Sequence, residues 1–540
     1  GKVAVIDSLM VIWPNDAYQL LYNLPVNQTV VLKATNAKSV YTYLHSEQKA
    51  IFNSKVTGGD IIHTENHFND FTVQSLLPNY LSRQGPCMAK ADVNKDGRED
   101  LFIGGAKGSP GQLSIQNAGG DFALSKQPDI IKDSLAEDVS AVFFDANGDG
   151  YPDLYVGSGG YEFDETDILL QDRLYINNGK GDFVKAGNAL PQMLTSTGCV
   201  KAADIDGDGD MDLFVGGRVV PGKYPMAPES YILLNDGGGK FTNATSAIAP
   251  SVKNIGMVTD ALWTDLNKDG KSDLIIVGEW MPIKVFINTN GKLEDASAKY
   301  IHFASSGWWN KILADDFDGD GDADIIIGNL GANAQFRASQ KEPLSIYYKD
   351  FDGNGSVDPI FCYYINGVSY PAASRDDLME QLPVLKKKFN NYSSYANATI
   401  KDIFSPEQLK DAGLLSVEML STVYLQNNGD SVFVMNSLPQ EAQYAPVCAI
   451  ASADVNKDGK KDIILAGNNA WTRIKFGRYR ANHGIMLAGD GKGGFNYVPQ
   501  YKSGLKLRGD VRSMDFIRVG NKDLLTVGMN NAALISYSFD

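Results

Sequence analysis

Apolar residues in this chain come in short runs closed by glycine: LFIGG (101–105), LYVGS (154–158), LFVGG (213–217) and LIIVG (274–278). Runs of this length, rich in β-branched and aromatic residues, predict buried β-strands. A second set follows: LSIQNAGGDF (113–122), LYINNGKGDF (174–183), YILLNDGGGKF (231–241), VFINTNGKL (285–293), VYLQNNGDSVF (423–433) and IMLAGDGKGGF (485–495). Each is apolar alternation, an Asn/Gly turn and an aromatic or Leu opening a new strand, which predicts a hairpin. The Gly-rich turns resemble phosphate loops only weakly, because no helix follows them. One unit therefore reads strand, polar loop, strand, connection, strand, Gly turn, strand. Four antiparallel strands recurring every fifty to sixty residues, roughly, predict propeller blades.

The polar loop between the first two strands carries the chemistry. It recurs as DVNKDGRED (92–100), DANGDGYPD (145–153), DIDGDGDMD (204–212), DLNKDGKSD (265–273), DFDGDGDAD (316–324), DFDGNGSVD (350–358) and DVNKDGKKD (454–462). Position 1 is Asp92, Asp145, Asp204, Asp265, Asp316, Asp350 or Asp454. Position 3 is Asn94, Asn147, Asp206, Asn267, Asp318, Asp352 or Asn456, and position 5 is Asp96, Asp149, Asp208, Asp269, Asp320, Asn354 or Asp458. Position 9 is Asp100, Asp153, Asp212, Asp273, Asp324, Asp358 or Asp462. Oxygens at these four positions can converge on one hard cation. A backbone carbonyl joins them from position 7, which is Arg98, Tyr151, Asp210, Lys271, Asp322, Ser356 or Lys460. An all-oxygen set in a flexible loop favours several structural Ca²⁺ ions. An EF-hand needs a Glu at position 12, where this chain has Ile103, Val156, Val215, Ile276, Ile327, Phe361 or Leu465. Polar turns alone would not require an aspartate at position 9. The 350 copy departs furthest from the pattern.

Loop starts at 92, 145, 204, 265, 316, 350 and 454, with a degenerate unit at SMDFIRVGNKDLLTVG (513–528), set the count. The short interval from 316 to 350 leaves no room for a second hairpin, so the 350 loop is expected to be inserted within the 316 unit. The fold expected is all-β, a seven-bladed β-propeller, with eight blades the alternative. ALISYSFD (533–540) ends one strand short of a full blade, and NDFTVQSLLP (69–78) resembles GDFVKAGNALP (181–191). Residues 69–78 are therefore expected to complete the last blade and hide its edge. Residues 374–420 break the pattern and predict a small helical insertion with S-x-x-[DE]-like starts.

The net charge of −16 has no dense basic stretch to offset it. Nucleic acid and anionic membranes are thus poor partners, and no apolar run is long enough to span a bilayer. Seven filled loops would neutralise most of that charge. Cys87, Cys199, Cys362 and Cys448 lack metal spacing, and three of them precede an acidic loop by five or six residues, as equivalent buried positions would. The opening, GKVAVIDSLMVIW, is strand-like and reads as the middle of a larger protein.

The tandem acidic loops followed by FIGGA (102–106) resemble FG-GAP/VCBS repeats, and that likeness spans 69–540. The resemblance implies a calcium-loaded β-propeller like that of integrin α chains. IDSLMVIWPN…YNLPVNQTVVL (6–32) resembles the C-terminal part of an ASPIC/UnbV domain, placing that domain at 1–50 and a linker at 51–68. The family likeness also implies the C-terminal half of a large exported protein, extracellular, cell-surface or periplasmic, with the missing N-terminal half of the parent protein as a partner.

In a propeller the strand 1–2 and 3–4 turns share one face, so the connections on the other face are the place for a ligand. GSGGYEF (157–163), GEWMP (278–282), GNLGANAQF (328–336), GNNAWTRIKFGRYR (467–480) and SSGWWN (305–310) bring Tyr161, Trp280, Trp308, Trp309, Asn329, Asn333, Asn468, Asn469, Trp471, Arg478 and Tyr479 toward that face. Aromatic rings with amide and guanidinium donors suit a glycan or protein ligand; the same rings could instead plug the channel or pack the insertion. Catalytic signals are poor. HTENH (63–67) has its Glu misplaced for a zinc helix, no G-x-S-x-G elbow occurs, and nearly all clustered aspartates belong to loops. RGD at 508–510 begins an inner strand, so it is not expected to act as a loop-tip motif. A non-enzymatic binding or scaffold module is the expectation; a polysaccharide lyase or hydrolase on the same face, or a purely architectural segment, is the alternative.

Overall fold

The computed structural model describes residues 3–42, 49–55, 61–429 and 432–539. The chain divides into two compact units, Gly1–Lys49 and Ala50–Asp540. In the first, Val5–Ile12 and Ala17–Pro25 form an antiparallel hairpin, and Ser39–Val40 pairs with the start of the second strand.

The second unit is built from four-stranded antiparallel sheets. The first holds Met88–Ala91, Asp100–Ile103, Gln112–Gln116 and Phe122–Ser125 in sequential order. Sheets of the same order lie within 137–185, 196–243, 257–295 (with one short extra strand), 311–437 and 447–498, and a last one takes three of its strands from 511–539. The first strand of each packs on the first strand of the next, and that of the last sheet returns to that of the first. This is the arrangement of a β-propeller.

The second strands explain the continuous apolar runs. Their side chains alternate between the two neighbouring sheets. Leu101 and Ile103 pack with Ile517 of the last sheet, whereas Phe102 packs with Leu154 and Val156 of the next. Tyr155 turns the other way, toward Leu213 and Val215, and Phe214 meets Leu274 and Ile276. Both faces are buried, so both sets of positions must be apolar. Each fully buried Leu or Ile contributes about 1.5–3 kcal/mol.

The 350 loop belongs to a further sheet inserted into the fifth, between Asp324–Gly328 and Val423–Asn427. This sheet comprises Leu344–Lys349, Asp358–Ile365, Val368–Pro371 and Gly413–Val417. Short helices between 375 and 410 pack Leu378, Met379 and Leu382 against its Ile360 and Cys362. Ser374 with Asp377 and Ser405 with Gln408 form capping boxes that start two of them.

The last sheet corrects the sequence reading. Its fourth strand is Phe52–Lys55, which pairs with Ile535–Phe539, and not residues 69–78. Phe52 is 1% exposed and sits edge-on to Tyr537, so the expected linker at 51–68 contains the closing strand itself. Residues 69–78 cannot serve as one. Asp70–Thr72 is a 3₁₀ turn capped by Asn69, and the fully buried Asp70 carboxylate accepts from the Ser82 N–H and hydroxyl at 2.9 and 2.6 Å.

Candidate functional site

Six acidic loops join the first and second strands of ring sheets, and the seventh, 350–358, joins the corresponding strands of the inserted sheet. The last ring sheet has a tight Gly520 turn instead. Within each loop the carboxylates first organise the backbone. Asp204 accepts the N–H of Gly207 at 2.7 Å and of Gly209 at 3.1 Å; Asp92 accepts those of Asp96 at 3.0 Å and Gly97 at 2.8 Å. Position 3 accepts from position 5, as Asn94 does from Asp96, and position 5 accepts from position 7, as Asp208 does from Asp210. Such turns require left-handed backbone at position 4, where Gly207 has φ 83° and Lys95 φ 57°.

Position 9 does a second job. Asp212 is 1% exposed; its Oδ2 accepts the Ile205 N–H at 3.0 Å and its Oδ1 the Asn235 N–H of the third strand at 2.9 Å. Asp100, Asp153, Asp273, Asp324 and Asp462 repeat this bridge, whereas Asp358 substitutes the Gln381 side chain for the strand. Sequence reading treated this aspartate as a metal ligand alone and missed the staple. Burial raises the carboxyls of Asp100, Asp153, Asp212, Asp324, Asp358 and Asp462 to about 6.

Three loops gather three carboxylates whose oxygens all lie within 4.8 Å of one another: Asp204, Asp206 and Asp212; Asp316, Asp318 and Asp320; Asp350, Asp352 and Asp358. The other loops have an amide, Asn94, Asn147, Asn267 or Asn456, at position 3. The donor set is entirely oxygen and fits a hard divalent cation. Position-7 side chains turn to neighbours instead. Tyr151 lies under Lys95 Nζ at 3.9 Å, linking two loops, and Asp322 takes Lys268 Nζ at 2.5 Å, linking two more. Arg98 and Lys271 donate to Gln116 O and Asn290.

At the opposite end most of the expected ligand residues are packed rather than presented. Tyr161, Trp280, Trp308 and Tyr479 do come together, but inside one buried cluster with Leu77, Leu81, Tyr224, Phe336 and Phe361. Trp280 and Trp308 ring centres are 5.1 Å apart, and Trp308 stacks on Phe336. The expected aromatic platform is thus a plug: Leu77 and Leu81 of the 69–86 segment and Leu344, Ile346 and Phe361 of the inserted sheet pack against it. Trp309 joins another cluster with Ile312 and Val285. Asn329 and Asn468 are buried and bond backbone carbonyls at Met419, Ser421, Asn482 and Gly509. Asn469 pairs with Tyr479 across a small loop. Asn333 and Arg478 are exposed and Trp471 half-buried, with the Arg83 guanidinium 3.8 Å over its ring.

Beneath the plug runs a polar chain that the sequence did not disclose. Trp280 Nε1 donates to the Tyr224 hydroxyl at 2.6 Å, Tyr224 donates to Glu279, and Arg218 pairs with the other Glu279 oxygen. Nearby, buried Asp260 holds Lys201 and Lys311, each at 2.9 Å; burial opposes its charge, but the two ammonium groups prevail and lower its carboxyl to about 2. Arg218, Glu279, Asp260, Lys201 and Lys311 line a cavity of about 320 Å³ inside the ring of first strands, as do Cys87, Cys199 and Cys448. The HTENH residues form no zinc triad: His63 and Glu65 are buried 4.0 Å apart and His67 is exposed.

Comparison with known proteins now bears on these features. Residues 92–156, 165–215 and 265–327 match the FG-GAP-like repeat, and residues 1–39 match ASPIC and UnbV. Cartilage acidic protein 1 of Xenopus tropicalis is 22% identical over 310 residues, 51% of this chain and 45% of that protein. Phosphatidylinositol-glycan-specific phospholipase D of Bos taurus is 28% identical over 163 residues, 26% of this chain and 19% of that protein. The chain thus spans less than half the length of these curated relatives. The solved structure of YCF48 bound to D1 peptide overlaps 89% of this chain and 100% of its own, with 10% identity and a TM-score of 0.41. The chain thus carries three stretches that match FG-GAP-like repeats and, at its start, one that matches ASPIC and UnbV.

Proposed function

We propose that the chain is a non-enzymatic, calcium-stabilised binding module of an exported protein. In this reading, seven sheets are the blades and the inserted sheet is an appendage. The observation that carries it is the placement of the acidic loops. Six of them occupy the same turn of successive sheets, where bound ions would brace the backbone the aspartates already shape. Chelation should lower the melting temperature and metal analysis should find calcium; an unchanged melting temperature with no calcium would refute it.

The ligand, a glycan or protein, would meet the face opposite those loops. What remains accessible there supports a macromolecular partner. The loop 469–480 carries Ile474, 96% exposed, together with Trp471 and Arg478. A glycan array and a protein pull-down, each repeated with Trp471→Ala and Arg478→Ala, test the assignment; binding that ignores both variants would move the site elsewhere. Turnover on a polysaccharide panel, abolished by these substitutions, would favour an enzyme instead.

A further inference from the structure

Three glutamates meet at the base of the 61–86 segment. Glu65 lies on the segment itself, Glu137 opens the first strand of the second sheet, and Glu162 follows that sheet's second strand. Glu137 is fully buried and Glu65 is 7% exposed. Hydrogen bonds tie the group together. Asn66 Nδ2 donates to Glu162 Oε1 at 2.9 Å, and the Lys107 N–H donates to Glu137 Oε2 at 2.7 Å. Asn530 Nδ2 donates to Glu65 Oε1 and to the Gly85 carbonyl, so it holds both ends of the segment. The charges of Glu65 and Glu162 both act on Glu137.

What the cluster lacks is donors. Among the described residues, Glu65 Oε2, Glu137 Oε1, Asn66 Oδ1 and Asn530 Oδ1 are buried without a hydrogen-bond partner. His63 accepts the Asn531 N–H at Nδ1, which leaves its Nε2 hydrogen facing Glu65 across 4.0 Å, too far for a hydrogen bond. Among the described residues no lysine or arginine forms an ion pair with any of the three glutamates. The cations whose fields reach them are engaged elsewhere. Arg83 stacks on Trp471 and donates to the Asn66 carbonyl, Arg512 donates to the Asn468 carbonyl beside Asp510, and the Lys107 ammonium sits over the Phe163 ring. Asp138, next to Glu137, is matched by Arg173. The free oxygens are sealed from solvent, so neither water nor a solute serves them while the segment is docked. A proton does. It turns one acceptor into an O–H donor that a neighbouring oxygen can accept, and it removes the repulsion between glutamates. Burial raises all three carboxyls, Glu65 to about 7 from 4.5. The stability each lends to the docked state is therefore full below pH 4.5 and is lost as pH rises through its folded value.

We propose that the 61–86 segment is fastened to the ring by protons held within the Glu65–Glu137–Glu162 cluster and loosens as they leave, a pH-operated strap. Asn79, Tyr80 and Arg83 of the segment line the cavity, and Leu77 and Leu81 pack in the aromatic cluster, so loosening opens both. The device needs neither the acidic loops nor a ligand on the outer face. Hydrogen exchange on the full chain, corrected for the intrinsic pH dependence of exchange, reads the opening of 61–86 directly. Between pH 5 and 7, above the value of about 4 at which His63 takes its proton, one lost proton makes opening about tenfold more frequent per pH unit. Glu65→Gln and Glu137→Gln place an amide donor where the proton sat, at every pH, and each should flatten that slope within 61–86. Glu165→Gln, on the exposed loop beyond Glu162, should keep the parent's slope. The proposal fails if opening of 61–86 in the parent does not rise with pH, or if Glu65→Gln and Glu137→Gln both fold and retain the parent's slope.

Discussion

Two substitutions in one loop separate its staple from its metal. Asp212→Ala strips the acceptor from two buried backbone N–H groups, those of Ile205 and Asn235. Hydrogen bonds to a charged group are worth about 1.5–3 kcal/mol each, so the loss is about 3 kcal/mol or more with or without metal. Asp206→Ala removes an exposed carboxylate that accepts one weak bond, from Asp208 N–H at 3.3 Å, and whose charge burial and Asp208 already disfavour. It should cost almost nothing in EDTA. With calcium a hundredfold above the dissociation constant it should forfeit that loop's share of binding, about 2.7 kcal/mol. The second unit runs from Ala50 to Asp540. At about 2.1 cal/mol/K per residue its unfolding entropy is about 1 kcal/mol/K, so each effect is worth about 3 °C. Thermal unfolding in EDTA and in calcium reads both. Asp212→Ala silent in EDTA would sink the staple; Asp206→Ala with equal shifts in both buffers would sink the metal site at this loop.

Other tests follow from the buried polar groups and the chain topology. Glu279→Gln leaves Arg218 buried opposite an amide and should cost about 3–5 kcal/mol, read as a melting-temperature drop of about 3–5 °C; a loss under about 1 °C would show the pair is not desolvated. Burial first, and then Arg512, lower His63 to about 4 from 6.5, so the folded state holds it neutral. Its stability contribution is complete above pH 6.5 and is lost as pH falls through 4. The stability gap between parent and His63→Gln should shrink by about 1.4 kcal/mol per pH unit across that window, to a total of about 3 kcal/mol, measured by denaturant titration. Removing residues 1–55 takes the last sheet's fourth strand and should lower the second unit's melting temperature by several degrees relative to removing 1–49.

The repeats were legible because their chemistry is local. An aspartate at position 1 and a residue able to turn left-handed at position 4 shape a loop from within nine residues, and the 350 hairpin betrayed its insertion by spacing alone. What escaped depends on contacts far apart in sequence. Phe52 closes a sheet whose other strands lie beyond 510, and IFNSK has no turn or alternation to announce that. NDFTVQSLLP imitated a fourth strand, but Asp70 needs a fold around Ser82 that no strand permits. The tryptophans were placed at the correct end of the ring, yet their burial is decided by a segment without periodicity, 69–86, laid across them. Arg218, Glu279 and Lys311 belong to no local motif, and only ring closure turns them inward.

Strand Phe52–Lys55 pairs with Ile535–Phe539, so its partner emerges from the ribosome some 480 residues later. At about 5–20 residues per second that is roughly 25–100 s during which the earliest strand of the ring waits with its edge unsatisfied. Six sheets can assemble behind it in order of synthesis, each gaining its neighbour's core at once. The seam between the last sheet and the first forms only when both ends meet. A nascent chain stalled anywhere before 535 is therefore an open arc with two sticky edges, and the short length of the waiting strand limits what else it can capture.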